Sequence, residues 1–247
     1  VYAVLNFSNF SHGEVMSFGA MITILATYWL QSIGLSISPL PTVLFALPLG
    51  ILGTIGLCLL LDRLVFRFYR HQRASSVTYL IVSIGVMFVI GGVIRFVIGP
   101  NDQNFNDGDR FLLKAREFKE ISGLSEGLAI KSSQAITVFT AVIVVAAIFW
   151  FLNRTRTGKS MRAYADNQDL ALLSGINPDR VVRITWIITA GLAAVAGTLY
   201  GLDKSYKPLV YLHLVLPIFA AAIVGGVGNP LGAIVGGFVI AFSELLL

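Results

Sequence analysis

The chain has 247 residues, of which 56% are hydrophobic and 13% charged, and its mean hydropathy is +0.80. A water-soluble domain carries about 25% charged residues, so these charges cannot cover a soluble surface, though they suffice for loops outside a bilayer. The net charge of +5 is gathered in loops between apolar runs, as membrane orientation requires, and does not point to nucleic acid.

The apolar runs are near-continuous, which excludes a barrel of alternating strands of about ten residues. The fold class is all-α: a polytopic membrane protein with about seven hydrophobic segments, two of them broken or re-entrant. The single cysteine, Cys58, lies inside an apolar run, so it forms no internal disulfide and marks no redox compartment. VYAVLNF opens without an initiator Met, and Leu245-Leu246-Leu247 stops inside an apolar run. Both ends of the natural protein are therefore expected to lie beyond this chain.

Spans of roughly 20 apolar residues follow in order. The first is Val15 to Leu30. A Ser- and Pro-rich turn over Gly34 to Pro41 leads to the second, Thr42 to Leu61, which ends at Asp62-Arg63. The third is Val77 to Ile98, where Arg95 is expected to snorkel outward. The fourth is Ala135 to Leu152 and the fifth is Ile184 to Leu202. From Tyr211 to Leu247 the chain is apolar but broken at GGVGNPLG, residues 225 to 232. Glu244, in that last run, must face protein or water, or lie near a helix end.

Loop 62–76 holds four Arg and one Asp, and loop 153–180 holds five basic residues and three acids. Two spans separate these loops, so they share a side, and their basic excess predicts the cytoplasm. Loop 99–133, with six acids and five bases, then falls on the other side.

The segment before the first span, LNFSNFSHGEVMSFGA, mixes Asn6, Ser8, Asn9, Ser11, His12 and Glu14 with apolar residues. Polar backbone at membrane depth has to line a cavity or lie within protein. GGVGNPLG would be a second break, and two interrupted segments in the two halves of a chain point to a substrate passage. Ser11 and Glu14 also fit a capping box. His12 and Glu14 are two apart and share no helix face, so no metal site is predicted.

In GGVGNPLG the spacing of Gly226, Gly228 and Gly232 does not match the dinucleotide fingerprint. Gly228, Gly232 and Gly236 recur at every fourth position instead, a smooth face for close helix approach. Asn229-Pro230 would start that helix. Simple packing and a packed wall of the passage are both open readings. No catalytic set and no selectivity-filter signature is present, which leaves a carrier or permease.

Arg154 to Arg183 is the longest polar stretch that also reads as folded. Arg154, Arg156, Lys159 and Arg162 come without an acid, and Met161 to Leu173 is amphipathic, with Met161, Ala165, Leu172 and Leu173 as its apolar edge. Gly175 stops that helix, and Asn177-Pro178-Asp179 starts the next. Such a helix would dock on a cytoplasmic motor or lie on anionic headgroups.

Three blocks carry a resemblance: LNFSNFSHGEVMSFGA, RAYADNQDLALLSGINPDRVVRITWIITAGLAAVAGTLYG and FAAAIVGGVGNPLGAIVGG. In this order they resemble the permeases of branched-chain amino acid ABC importers, whose relatives carry other amino acids, urea or short amides. The resemblance implies one transmembrane permease domain over 1–247 in a bacterial inner membrane. It also implies a second homologous permease, two cytoplasmic ATP-binding subunits, a periplasmic substrate-binding protein, an amino acid substrate and surrounding lipid. The chain itself would hold no cofactor, ATP being bound by the partners. Loop 99–133 becomes periplasmic and 153–183 the cytoplasmic coupling loop.

Within that loop Arg162, Ala163, Asp166, Asp169, Leu172 and Gly175 become the ATPase-facing residues. The wider importer class often has Glu-Ala-Ala there, and this chain has Arg162-Ala163-Tyr164. Asn6, Ser8, Asn9, Ser11, His12, Glu14, Gly225, Gly226, Gly228 and Asn229 are expected along the passage. An ion-coupled secondary transporter and a membrane scaffold are the other open classes.

Overall fold

The computed structural model describes residues 8–34, 41–72, 74–105, 111–113 and 130–246. Asn6, most of the turn expected over Gly34 to Pro41 and most of loop 99–133 lie outside them. Five helices are long and apolar enough to cross a membrane: α1 His12–Ser32, α2 Val43–His71, α3 Ser76–Ile98, α4 Ser132–Arg154 and α7 Pro178–Lys204. Between α4 and α7 come α5 Arg156–Asp166 and α6 Gln168–Leu173. Two shorter apolar helices follow, α8 Val210–Val224 and α9 Pro230–Leu246. The all-helical expectation holds apart from one small ribbon, β1 Phe111–Leu113 paired antiparallel with β2 Ile130–Lys131. The expected seven apolar segments resolve into five membrane-length helices and two of 15 and 17 residues.

The centre is a three-helix contact of α1, α2 and α7, made close by small residues. A Cβ on Gly19 would lie 2.6 Å from the Ala194 Cα, and one on Gly197 would meet the Met16 carbonyl. A Cβ on Gly50 would strike the Thr23 hydroxyl. Without a hydrophobic force between helices in lipid, close backbone approach and interhelical hydrogen bonds hold such contacts. Thr198 donates to Thr23 Oγ1 at 3.1 Å, while Thr23 donates to the Gly19 carbonyl at 2.8 Å. Around this line pack Ile24, Cys58, Ile90, Trp186, Ala190 and Ala193, all buried. By contrast α4 buries none of its residues, and α9 buries only Gly236.

α2 does not stop at Asp62-Arg63 as its charges suggested. It continues through a π-helical turn, Asp62–Phe66, into Arg67–His71. Asp62 permits this because it is neutralised in place: it accepts from Arg70 Nη1 at 2.9 Å and from Trp186 Nε1 at 2.9 Å. Phe66 stacks on Trp186 with ring centroids 5.2 Å apart. Arg70 also reaches Asp179 at 3.7 Å, so the ends of α2 and the start of α7 meet at one end of the bundle, here called the basic end.

At the opposite end, Gln103 and Tyr206 exchange backbone hydrogen bonds of 2.9 and 2.8 Å, and Lys207 pairs with Asp102 at 2.6 Å. Ser133 donates to Asp203 at 3.0 Å.

α8 and α9 form an antiparallel hairpin. Gly225 faces the Gly232 carbonyl and Gly236 faces that of Ala221, each too close for a side chain. Gly228, expected on the smooth helix face, instead lies in the turn at φ +92, where an L side chain is strained. Gly225 takes its place opposite Gly232. Pro230 opens α9 as expected, with Asn229 Oδ1 accepting from Leu231 N at 3.1 Å.

Candidate functional site

The polar residues before the first span lead into α1 inside the bundle. Asn9, Ser11 and Glu14 are buried, Ser8 and His12 partly so. The expected capping box is not formed: Ser11 is helical in φ and ψ and its side chain caps nothing. Asn9 does the work, its Oδ1 accepting from the Ser11 hydroxyl at 2.7 Å and the Ser11 N–H at 3.1 Å. An Asn side chain mimics a backbone turn in this way, so Glu14 is left free for another role.

Several elements converge on this segment. Phe10 N–H donates to Ser83 of α3 at 3.1 Å, and the Phe10 ring packs on Phe219 of α8 at 5.0 Å. Gly13 seats against the Tyr211 carbonyl and Val215. Tyr211 in turn donates to the Gly197 carbonyl of α7 at 2.7 Å. Gly197 lies about 10 Å along the axis from the end of α7, so α8 begins within the bundle rather than at its surface. Ser17 and Tyr206 share a hydrogen bond of 3.0 Å.

Glu14 and Arg95 both approach Gly91, where a Cβ would lie 3.2 Å from the Glu14 carboxyl and 3.2 Å from Arg95 Nη2. Arg95 is exposed, as a snorkelling side chain would be, but does not extend past the helix end. It folds back one turn and donates from Nε to the Gly91 carbonyl at 2.9 Å. The carboxylate of α1 and the guanidinium of α3 therefore face one another across a glycine. Sequence spacing gave no sign of this, because the two residues belong to different helices. Arg95, Tyr206 and Tyr211 are the residues that reading missed.

The other expected passage residues lie elsewhere. Gly226, Gly228 and Asn229 are exposed and Gly225 is partly so. Gly226, Gly228 and Asn229 border an apolar cleft of about 530 Å³ at the basic end, with Met161, Arg162 and Ala165 on one wall and α4 and α7 on the others. The structure therefore brings Asn9 to Glu14 against the first turns of α8 and leaves the glycine turn at that helix's far end. A second apolar cleft of about 740 Å³, lined by α4, α7, α8 and α9, opens towards the opposite end.

Beyond the basic end, the stretch expected as one amphipathic helix is two. Asn167 is extended, at φ −154 and ψ 109, and its side chain caps α6 by accepting from Leu170 N at 3.0 Å. Thr155 caps α5 in the same way through Gly158 N at 3.0 Å. Gly158 presses on the Phe151 carbonyl and Leu152 backbone, folding α5 tightly back on α4. A small core of Met161, Tyr164, Ala171 and Val181 holds α5 and α6 to α7. Burial pushes the Tyr164 phenol up, so it stays neutral.

The expected apolar edge holds at Met161, which is buried, and at Ala165, which packs against that core, and is corrected at Leu172 and Leu173. Tyr164 and Ala171 face inward, while Leu172 and Leu173 face out, Leu173 being 85% exposed. Arg162, Ala163, Asp166, Asp169, Leu172 and Gly175 are all exposed. Gly175, at φ +80, ends the pair as expected. Arg162 donates to Asn153 at 3.0 Å.

Comparison with known proteins gives one family. The family described as branched-chain amino acid transport system, permease component, matches residues 1–247. The chain is 28% identical over 253 residues to the high-affinity branched-chain amino acid transport system permease protein LivH of Salmonella typhimurium, covering 100% of this chain and 78% of that one. It is 27% identical over 245 residues to BraD of Pseudomonas aeruginosa, of the same description, covering 99% and 77%. A more distant similarity, 27% over 168 residues, is to the fructose import permease protein FruG of Bifidobacterium longum, covering 64% and 48%. No solved structure matches.

Proposed function

The chain belongs to the branched-chain amino acid transport permease family, and from that premise we propose that it is the membrane-spanning subunit of an ABC importer for branched-chain or neutral amino acids. Its apolar helices make it a multi-pass protein of the inner (plasma) membrane, since outer membranes take closed barrels. It would work with a second homologous permease, two cytoplasmic ATP-binding subunits and a periplasmic substrate-binding protein. The chain itself would hydrolyse nothing and hold no cofactor.

The observation that carries this reading is the α5–α6 pair. Leu170, Leu172 and Leu173 are 61, 48 and 85% exposed, beside Arg162, Asp166 and Asp169, on a folded element beyond the basic end. Apolar side chains rimmed by charge on an extramembrane helix mark a protein interface. ATP-driven closure of the ATPases would move α5 and α6, and the core behind them would pass that motion to α7. Access would then alternate between the two ends. The binding protein would dock on the side of loop 99–133.

For the passage we propose the region from Asn9 to Glu14 along α8 to the Gly225–Asn229 turn, with the α8–α9 hairpin as a re-entrant pair. Glu14 and Arg95 offer opposite charges to the ammonium and carboxylate of a zwitterion. That pair favours an amino acid over the alternative of urea or a short amide, which would leave both charges unmatched. Ionisable residues at this depth are functional by default, so an ion-coupled carrier is the second alternative.

The test is co-purification from detergent-solubilised membranes. An ATP-binding subunit should elute with wild type and be lost from Arg162→Glu/Asp169→Arg. Absence of any ATPase from the wild type would overturn the importer reading.

A further inference from the structure

At the basic end, a cavity of about 330 Å³ opens between α2 and α7, lined by Leu59, Asp62, Arg63, Arg67, Arg70, Asp179 and Arg183. Four arginines meet two aspartates. The aspartates are already engaged: Asp62 holds Arg70 at 2.9 and 3.4 Å and Trp186 at 2.9 Å, and Asp179 lies 3.7 Å from Arg70. Among the described residues, Arg63, Arg67 and Arg183 have no ion pair. Arg63 and Arg67 stand one turn apart on the same helix, where like charges repel. Arg63, Arg67 and Arg183 are exposed, so three guanidinium groups without an ion pair present their donors around one hollow.

Membrane orientation explains a basic loop but does not require arginines from two helices to line one cavity. The neighbouring surface says what the anion is attached to. Leu60, Leu64 and Phe68 recur every fourth residue on α2 beside the arginines, and they are 52, 66 and 57% exposed. One helix thus offers an apolar stripe running beside a basic hollow at the end of its apolar run. The π-helical turn over Asp62–Phe66 lies in this stretch, an irregularity often found at functional sites.

We infer that the Arg63–Arg67–Arg183 cavity binds the phosphate headgroup of an anionic phospholipid, with its acyl chains along Leu60, Leu64 and Phe68. Guanidinium forks match phosphate oxygens in pairs, and basic pockets between membrane helices take such headgroups. Arg70, held by Asp62 and Asp179, acts as the rigid floor and does not depend on the lipid. A free phosphate shares the headgroup's chemistry but gains nothing from the apolar stripe.

The test is native mass spectrometry of the full chain in detergent, with equal phosphatidylglycerol and phosphatidylcholine added. Wild type should retain phosphatidylglycerol at least about tenfold over phosphatidylcholine. Arg63→Gln/Arg67→Gln/Arg183→Gln should lose that preference with an unchanged melting temperature, since the Asp62–Arg70–Trp186 cluster is intact. Arg67→Gln alone, an exposed position, should lose part of it. Equal retention in wild type and variant would overturn the site. Displacement of phosphatidylglycerol by millimolar inorganic phosphate would make it a soluble-anion site and overturn the lipid assignment. Loss of a co-purifying ATP-binding subunit without any change in lipid would make the cavity a protein interface.

Discussion

Gly197 has the Met16 carbonyl where its Cβ would stand, whereas Gly56 has nothing within 4 Å. Gly197→Val should therefore destabilise the bundle by about 1–3 kcal/mol through overpacking, and Gly56→Ala should not, as read by thermal unfolding in detergent. At Glu14, substitution by Gln keeps the shape and removes the charge opposite Arg95. Uptake by the assembled importer should fall about tenfold, the size of one charge-assisted contact of ~1.5 kcal/mol, with no loss of folded protein. Equal uptake by Glu14→Gln would remove Glu14 from the passage. Glu14 was visible in the sequence as an ionisable residue in an apolar setting. The guanidinium near it was not, because Arg95 sits on another helix and folds back onto the Gly91 carbonyl.

Helix ends are where sequence and structure part. The break at Asn167 was hidden because Met161 to Leu173 keeps a helical apolar pattern across it, although Asn is a natural cap. Asn167→Ala removes the acceptor for Leu170 N and should cost about 1 kcal/mol. It should loosen α6 alone, seen as faster amide exchange over Gln168–Leu173 with α5 unchanged. At Asp62 the sequence placed a helix end because a charge after an apolar run usually marks one. The run goes on because Arg70, two turns later, and Trp186, on a distant helix, satisfy the carboxylate. Asp62→Ala strands both donors and should cost about 1–3 kcal/mol. Asp62→Asn keeps an acceptor for Trp186 and should cost less, a ranking that thermal unfolding can check. The hairpin turn at Gly225–Asn229 was read correctly as a break. The glycine that fits against Gly232 was not, since antiparallel pairing is a tertiary choice that a periodicity of four cannot reveal.

For the molecule as a whole, the membrane class and the approximate spans were legible, because lipid demands long apolar runs and that demand is local. The depth at which α8 starts was not, because it rests on Tyr211 reaching Gly197 across the bundle. Among the five membrane-length helices, α1 and α7 are the least apolar and the most buried, while α4 is the most apolar and buries nothing. In this inverse order α1 and α7 pack inside the bundle, while α4 stands open at its edge. The order also bears on biosynthesis. α1 emerges from the ribosome before the helix that covers its polar side has been made, and α4 needs no such cover. Nascent chains halted after α1 should therefore remain beside the insertion machinery and resist release into lipid. α4 should partition on its own, and release of α1 should await the synthesis of α7. The order in which these helices leave the translocon would then differ from the order in which they enter it.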